Sequence, residues 1–260
     1  MLAGRRGVAD AVAAAAGVTH RALVPVNGVA MLLRVVRTLR ATPGIGRLTI
    51  SIDDPAQLDS VPELVEAQRA GWLTTHVSLD SPSTSVGDML ARFRPTSGVL
   101  VTTGDHPLLT PAIVAAFLTA ARARSAADVV VGMVPARIVR AAHPDAVRTF
   151  LPLRGESFSG ANLFWMRAPG ARRVTDFWRD AERHRKQPWK LVRSFGVVTL
   201  LLFLLRRLDL EAALARASRI LGARVEAVEL EDAEAAIDVD KPSDLALATR
   251  IREQREATQH

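Results

Sequence analysis

The sequence predicts an α/β protein of three layers, α/β/α, on a mainly parallel, mixed central sheet. Short β-branched runs bounded by turn residues alternate with stretches of helical periodicity, and several of those helices carry start or stop signals. With 260 residues, 48% of them hydrophobic, the chain is long enough to bury a large core without disulfides. Residues 30–40 place apolar side chains at helical spacing, and 48–52, after Gly44-Ile45-Gly46, reads as a buried strand. Residues 62–69 are helical, and 99–103 is a second strand ending at Gly104-Asp105-His106-Pro107. Residues 111–124 follow with Thr110 as N-cap and Pro111 in the first helical position. The run 128–134 is a third strand, 210–221 a helix stopped by Gly222, 223–230 a fourth strand, and 243–255 a helix entered through Pro242. In such sheets ligands sit outside the carboxyl ends of the strands, so the loops after Ala3, Ile52, Thr103 and Leu230 share one rim. No repeat, low-complexity linker or domain boundary is visible, and 1–260 reads as one domain whose least regular part is 136–167.

Composition removes several classes of chemistry. The chain has no cysteine, which excludes disulfide scaffolds, thiolate zinc sites, iron–sulfur clusters and cysteine nucleophiles. It has no tyrosine, so base-stacking platforms are sparse. The net charge is +7, and lysine occurs only at 186, 190 and 241, so arginine carries the positive charge. Arginine suits bidentate phosphate recognition, although GC-rich codons produce the same enrichment. The charge is dispersed and forms no stripe, which favours small phosphorylated ligands and argues against nucleic acid as a partner. The first apolar stretch, 8–18, is alanine-rich and interrupted by Asp10, unlike a secretory signal, so a cytoplasmic protein is expected. The most apolar run, 195–205, is shorter than the roughly 20 residues a spanning helix needs. It reads as a buried helix, with a homodimer contact or a membrane-surface contact as alternatives, and no stable membrane insertion is expected.

Four motifs hold the residues able to do chemistry. Leu2-Ala3-Gly4-Arg5-Arg6-Gly7 combines glycines, which let backbone N–H groups approach a polyphosphate, with arginines that add charge-assisted bonds; an ordinary turn has the same composition. His20-Arg21-Ala22-Leu23-Val24-Pro25-Val26-Asn27-Gly28 sets a cation before an apolar run, a turn and a helix. Gly104-Asp105-His106-Pro107-Leu108-Leu109 puts a carboxylate at a strand end, where it can hold Mg²⁺ against nucleotide phosphates or cap a turn. His106 reads there as a structural neighbour. In Ala236-Ile237-Asp238-Val239-Asp240-Lys241-Pro242-Ser243-Asp244-Leu245, Asp238 and Asp240 occupy i and i+2 of an extended segment and project to one side. They can share a cation or cap the following helix, and Asp244 suits its first turn.

Together the four motifs resemble the MobA-like nucleotidyltransferases, and the wider group of sugar-phosphate nucleotidyltransferases and of cytidylyltransferases in isoprenoid and sugar-acid synthesis. The resemblance covers nearly the whole chain. Residues 2–7 look like the family's glycine-rich nucleotide loop, and 21–28 are similar to its Lys-x-Leu-x-Pro-Val-x-Gly stretch, with Arg21 where lysine is usual. Residues 104–109 resemble its metal-binding Asp-x-Pro-Leu turn, and 237–245 its closing Asp-x-Pro-x-Asp-Leu segment. The resemblance implies a Rossmann-like nucleotidyltransferase fold of the glycosyltransferase-A type. It also implies Mg²⁺-dependent transfer of a nucleoside monophosphate from a nucleoside triphosphate to a phosphorylated small-molecule acceptor.

Mg²⁺ is then assigned to Asp105 and Asp240, with Asp238 in reserve. Ala3, Gly4, Arg5, Gly7 and Gly104 would hold the nucleotide, and Arg6 and Arg21 would neutralise its phosphates. Residues 81–86 resemble the base-contacting segment, which nominates Ser85. Residues 158–164 resemble the acceptor-lining turn and strand, which nominates Asn162, and Arg148, Arg154 and Lys190 are further acceptor candidates. An acceptor-binding or lid insertion is expected around 136–196. Val29-Ala30 stands where the family commonly has Lys-Pro, which motivates a second reading, a catalytically impaired nucleotide-binding protein. A third, a nucleotide-sugar-dependent glycosyltransferase, would carry Asp-x-Asp at the end of a central strand; here that pattern occurs only at 238–240.

Overall fold

The computed structural model describes residues 1–4, 10–93, 98–167, 169–183, 201–202 and 204–258. After a short helix α1 (Ala11–Ala15), the strands β1 (Pro25–Val26) and β2 (Val29–Ala30) form a hairpin. Its turn is Asn27-Gly28 with both φ angles positive, 46° and 72°, the pairing that matches the twist of the flanking strands. The expected helix start at Ala30 therefore moves to Met31, and α2 is Met31–Ala41. There follow β3 (Leu48–Ile52), α3 (Pro62–Arg69), β4 (Leu73–Val77), α4 (Pro82–Phe93), β5 (Val99–Val101) and α5 (Pro111–Ala123). The chain continues through β6 (Val129–Pro135), α6 (Ala136–Ala142), β7 (Leu151–Pro152), β8 (Ser157–Met166) and α7 (Gly170–Arg183). It closes with α8 (Leu210–Leu221), β9 (Val225–Glu229) and α9 (Pro242–Thr258).

β3 pairs in parallel with β4, while β5, β8, β6 and β9 form a second run in that lateral order. Leu2 joins the two runs through parallel bridges to Ser51 and Thr103. Its N–H donates to Thr102 O at 2.8 Å, Ala3 N–H donates to Ser51 O at 2.8 Å, and Leu2 O accepts from Gly104 N–H at 2.8 Å. β8 is antiparallel to both β5 and β6, and β6 is parallel to β9. The sheet is thus mixed and mainly parallel, as the sequence predicts.

Alternation along β6 assigns the layers. Val130 and Val134 join the core of α2, α3 and α5, with Leu32, Leu39, Ile50 and Phe117, whereas Val129 joins α4 and α7 on the other face, with Val86, Leu90 and Met166. A smaller cluster, in which Val12, Met31, Ile237, Val239 and Ile251 meet, seats α9 and the segment before it beside α1.

Within the expected insertion, residues 157–166 form β8 in the interior of the sheet, and residues 184–200 lie outside the described residues. Of the apolar run 195–205, residues 195–200 and 203 also lie outside them. Leu201, Leu204 and Leu205 are exposed, so the buried helix expected there is not found at these positions.

Candidate functional site

The rim at the carboxyl ends of the parallel strands is built by close backbone approach. Gly104 follows β5, where a Cβ would stand 2.8 Å from Leu32 Cδ1 and 3.5 Å from Leu2 O, so a larger residue there would displace the Leu32 side chain. The turn delivers Asp105 and His106. Asp105 O then accepts from Val239 N–H at 2.9 Å, which lays the acidic segment alongside. Asp244 accepts from the N–H groups of Asp240 and Lys241 at 3.0 and 2.9 Å, fixing the entry to α9 as the sequence suggests.

Asp105, His106 and Asp238 each offer a ligand atom, and the three atoms lie within 4.8 Å of one another. All three residues are buried. Two carboxylates and an imidazole make a donor set able to hold a divalent cation. Asn162 holds two of them, its Nδ2 lying 2.8 Å from His106 Nε2 and 3.2 Å from Asp238 Oδ2. Asn162 reaches them from the middle of β8 because pairing with β6 jumps there, from Val131↔Phe164 to Met133↔Gly160. The residue sits in the resulting bulge at φ 49°, a left-handed conformation that asparagine tolerates.

Two arginines organise the remaining carboxylates. Arg148 pairs with Asp238 Oδ1, donates to Asp238 O at 3.1 Å, and lies 3.8 Å from Asp244 Oδ1. Arg148, expected on an acceptor phosphate, is half-buried and turned onto the acidic segment, whose negative charge it balances. Arg21 Nε lies 2.8 Å from Asp10 Oδ2, and its other two nitrogens contact Asp240 Oδ1 at 3.2 Å and Asp240 O at 2.8 Å. Asp240 is therefore held by Arg21, and Asp238 joins the Asp105 cluster in the place expected for Asp240.

Ser85, expected at the base, accepts from Leu79 N–H at 2.9 Å and donates to Ser81 O at 3.0 Å, so its hydroxyl closes the entry to α4. Arg154 pairs with Asp209. Ala3 and Gly4 end the stub at the rim, while Arg5, Arg6, Gly7 and Lys190 lie outside the described residues. Sequence reasoning set His106 aside as a neighbour; its place directly after a strand-end aspartate was the signal available. The pairing of Arg148 with Asp238 spans 90 positions and left no local trace.

The sequence profile described as the MobA-like NTP transferase domain matches residues 13–157. The chain belongs to the MobA-like NTP transferase family. It is similar to a hypothetical transferase of known structure from Thermus thermophilus, at 30% identity and a TM-score of 0.74, over 94% of this chain and 98% of that one. Two further structures share the fold at low identity. One is a CMP:2-keto-3-deoxy-manno-octonic acid synthetase complexed with CTP, with 13% identity, a TM-score of 0.57, and 90% and 92% of the two chains covered. The other is a 4-diphosphocytidyl-2C-methyl-D-erythritol synthase from Anaerococcus prevotii, with 12% identity, a TM-score of 0.55 and 88% of each chain covered. No curated protein matches the chain. Family and fold make this MobA-like NTP transferase a nucleotidyltransferase. No helix among its described residues is long and apolar enough to cross a membrane.

Proposed function

We propose that this nucleotidyltransferase moves a nucleoside monophosphate from a nucleoside triphosphate to a phosphorylated small molecule, of the class of sugar, alditol, inositol or cofactor phosphates. An oxygen of the acceptor phosphate attacks the α-phosphorus. The new P–O bond forms as the bond from the α-phosphorus to the bridging oxygen breaks, and pyrophosphate leaves with the electron pair. The phosphate is already an anion, so no side chain has to remove a proton. What the chain supplies is position and countercharge.

The observation that carries this reading is the buried Asp105–His106–Asp238 cluster at the sheet rim, beside the chain's opening glycine motif. Asp105 and Asp238 would hold Mg²⁺, with His106 as the third donor and Asp240 as the outer carboxylate. A divalent cation there neutralises triphosphate charge. Ala3, Gly4, Arg5, Gly7 and Gly104 would seat the phosphates, with Arg6 adding charge. Arg21, braced by Asp10 and Asp240, would face the α-phosphate side, and Asn162 and Lys190 would line the acceptor side.

The test is a panel of the four common triphosphates with and without Mg²⁺, read by thermal shift, then pyrophosphate release on adding sugar and alditol phosphates. At least one triphosphate should stabilise the protein only with the metal, and an acceptor should release pyrophosphate from it. Failure of every triphosphate to bind under both conditions would overturn the reading.

A further inference from the structure

His20 opens the motif that carries Arg21, and the machinery above uses only the arginine. The histidine is buried, 1% exposed, and both of its ring nitrogens are bonded. Ala22 N–H donates to Nδ1 at 3.1 Å, and Nε2 lies 2.9 Å from Asp53 Oδ1. A backbone N–H can only donate, so Nδ1 is the accepting nitrogen and the ring proton stands on Nε2, toward Asp53. Asp53 is the first residue past β3, at the rim. The bond spans 33 positions and ties two rim loops together, the one that carries Arg21 and the one that leaves β3.

The turn that carries Arg21 has few bonds of its own. Residues 21–23 make one turn of 3₁₀ helix, closed by Leu23 N–H to His20 O at 2.9 Å and Val24 N–H to Arg21 O at 3.0 Å. The N–H between them, that of Ala22, is satisfied by the His20 ring. A second tie between the same loops, Thr19 Oγ1 to Gln57 Oε1 at 2.8 Å, is exposed, where water competes for it. The His20 ring is out of water, so no solvent molecule takes over its bond to Asp53. From this turn the Arg21 side chain reaches Asp10, at the entry to α1, and Asp240, in the acidic segment. Its guanidinium is therefore placed by its own backbone as well as by its partners, and a shift of about 1 Å in a group facing the reacting phosphate can cost up to about 10²-fold in rate.

Resting on the nucleotidyl-transfer reading, we infer that His20 and Asp53 position Arg21. The imidazole, anchored to the rim by Asp53, holds the turn so that the guanidinium stands where charge gathers around the α-phosphate as pyrophosphate departs. His20 and Asp53 are positioning residues, and Arg21 is the group that meets the nucleotide. Charge that develops only in the transition state is felt in kcat, whereas the metal cluster and the glycine motif hold the triphosphate in the ground state.

The experiment measures kcat, and KM for the triphosphate, using the triphosphate and the sugar or alditol phosphate that release pyrophosphate with the intact protein. The variants are Asp53→Ala, Asp53→Asn, His20→Asn and Arg21→Ala, with Asp53→Ala also made on Arg21→Ala, and melting temperatures are read alongside. Asp53→Ala should lower kcat about tenfold, the weight of one hydrogen bond, with KM held within about twofold. Asp53→Asn, whose amide oxygen still accepts from Nε2, should keep kcat within about twofold of the intact protein. His20→Asn caps the turn but is too short to reach Asp53, and should match Asp53→Ala. On Arg21→Ala, the change at Asp53 should do nothing further, because the group it places is gone. If His20→Asn does not fold, the Asp53 variants decide alone. An active intact protein whose kcat is unmoved by Asp53→Ala or by Arg21→Ala overturns this inference and leaves nucleotidyl transfer standing. So does an Asp53→Ala loss that is equal with and without Arg21, or a loss in Asp53→Asn as deep as in Asp53→Ala. Release of pyrophosphate from no triphosphate overturns both.

Discussion

Asp238 and Asp240 stand two residues apart in one extended segment, and each meets an arginine. Asp238 is 10% exposed and shares Arg148, Asn162 and the Asp105–His106 pair, whereas Asp240 is 37% exposed and meets Arg21, which Asp10 also holds. The difference lies in what surrounds each pair. A carboxylate taken out of water needs its countercharge and hydrogen bonds, and removing one partner strands the other. A half-exposed carboxylate keeps water as a substitute. The same residue type in the same motif can therefore serve a buried cation cluster at one position and brace an arginine at the next.

Four substitutions test this asymmetry. Asp105→Asn removes the charge that Asp238 faces across the cluster and should lower kcat about 10²–10³-fold with the melting temperature preserved; steady-state kinetics beside a thermal melt read both. Asp238→Ala leaves the half-buried Arg148 with the backbone oxygen of position 238 and the more distant Asp244 and should cost about 3 kcal/mol in urea unfolding, while Asp240→Ala, whose Arg21 retains Asp10, should cost about 1 kcal/mol or less. Equal costs would erase the distinction between the two sites. A comparably small effect is expected from Asn162→Gly, which keeps the left-handed backbone and loses two hydrogen bonds. It should cost about 1 kcal/mol and weaken divalent-metal binding measured by calorimetry.

Most of the architecture was legible because its signals are local. The runs at 48–52 and 128–134 and the Thr110-Pro111 entry, where Thr110 Oγ1 accepts from Ile113 N–H, each carry their evidence in a few residues. β4 was not legible: Leu73-Thr74-Thr75-His76-Val77 is half polar, because it borders the sheet beside β3 and exposes Thr74, Thr75 and Val77. β8 was blurred by Gly160 and Asn162, which look like a turn and in fact mark a bulge in a long strand. At the site, strand-end position pointed to Asp105, whereas the spacing left Asp238 in reserve behind Asp240. The partners of Arg21 and Arg148 were not, since Asp240 and Asp238 come from far along the chain and no periodicity encodes such a pairing.

The bulge in β8 also isolates one side chain from the ladder that carries it. Pairing is regular on both sides, Val129↔Met166 through Val131↔Phe164 and Met133↔Gly160 through Pro135↔Phe158, so the irregularity is confined to the residues between. Position 162 can then be varied among residues at ease with positive φ, such as glycine, aspartate or asparagine, without slipping the strand. A single codon there can be exchanged while the scaffold stays in place, which exposes the hydrogen bonds of Asn162 to His106 and Asp238 to variation on their own.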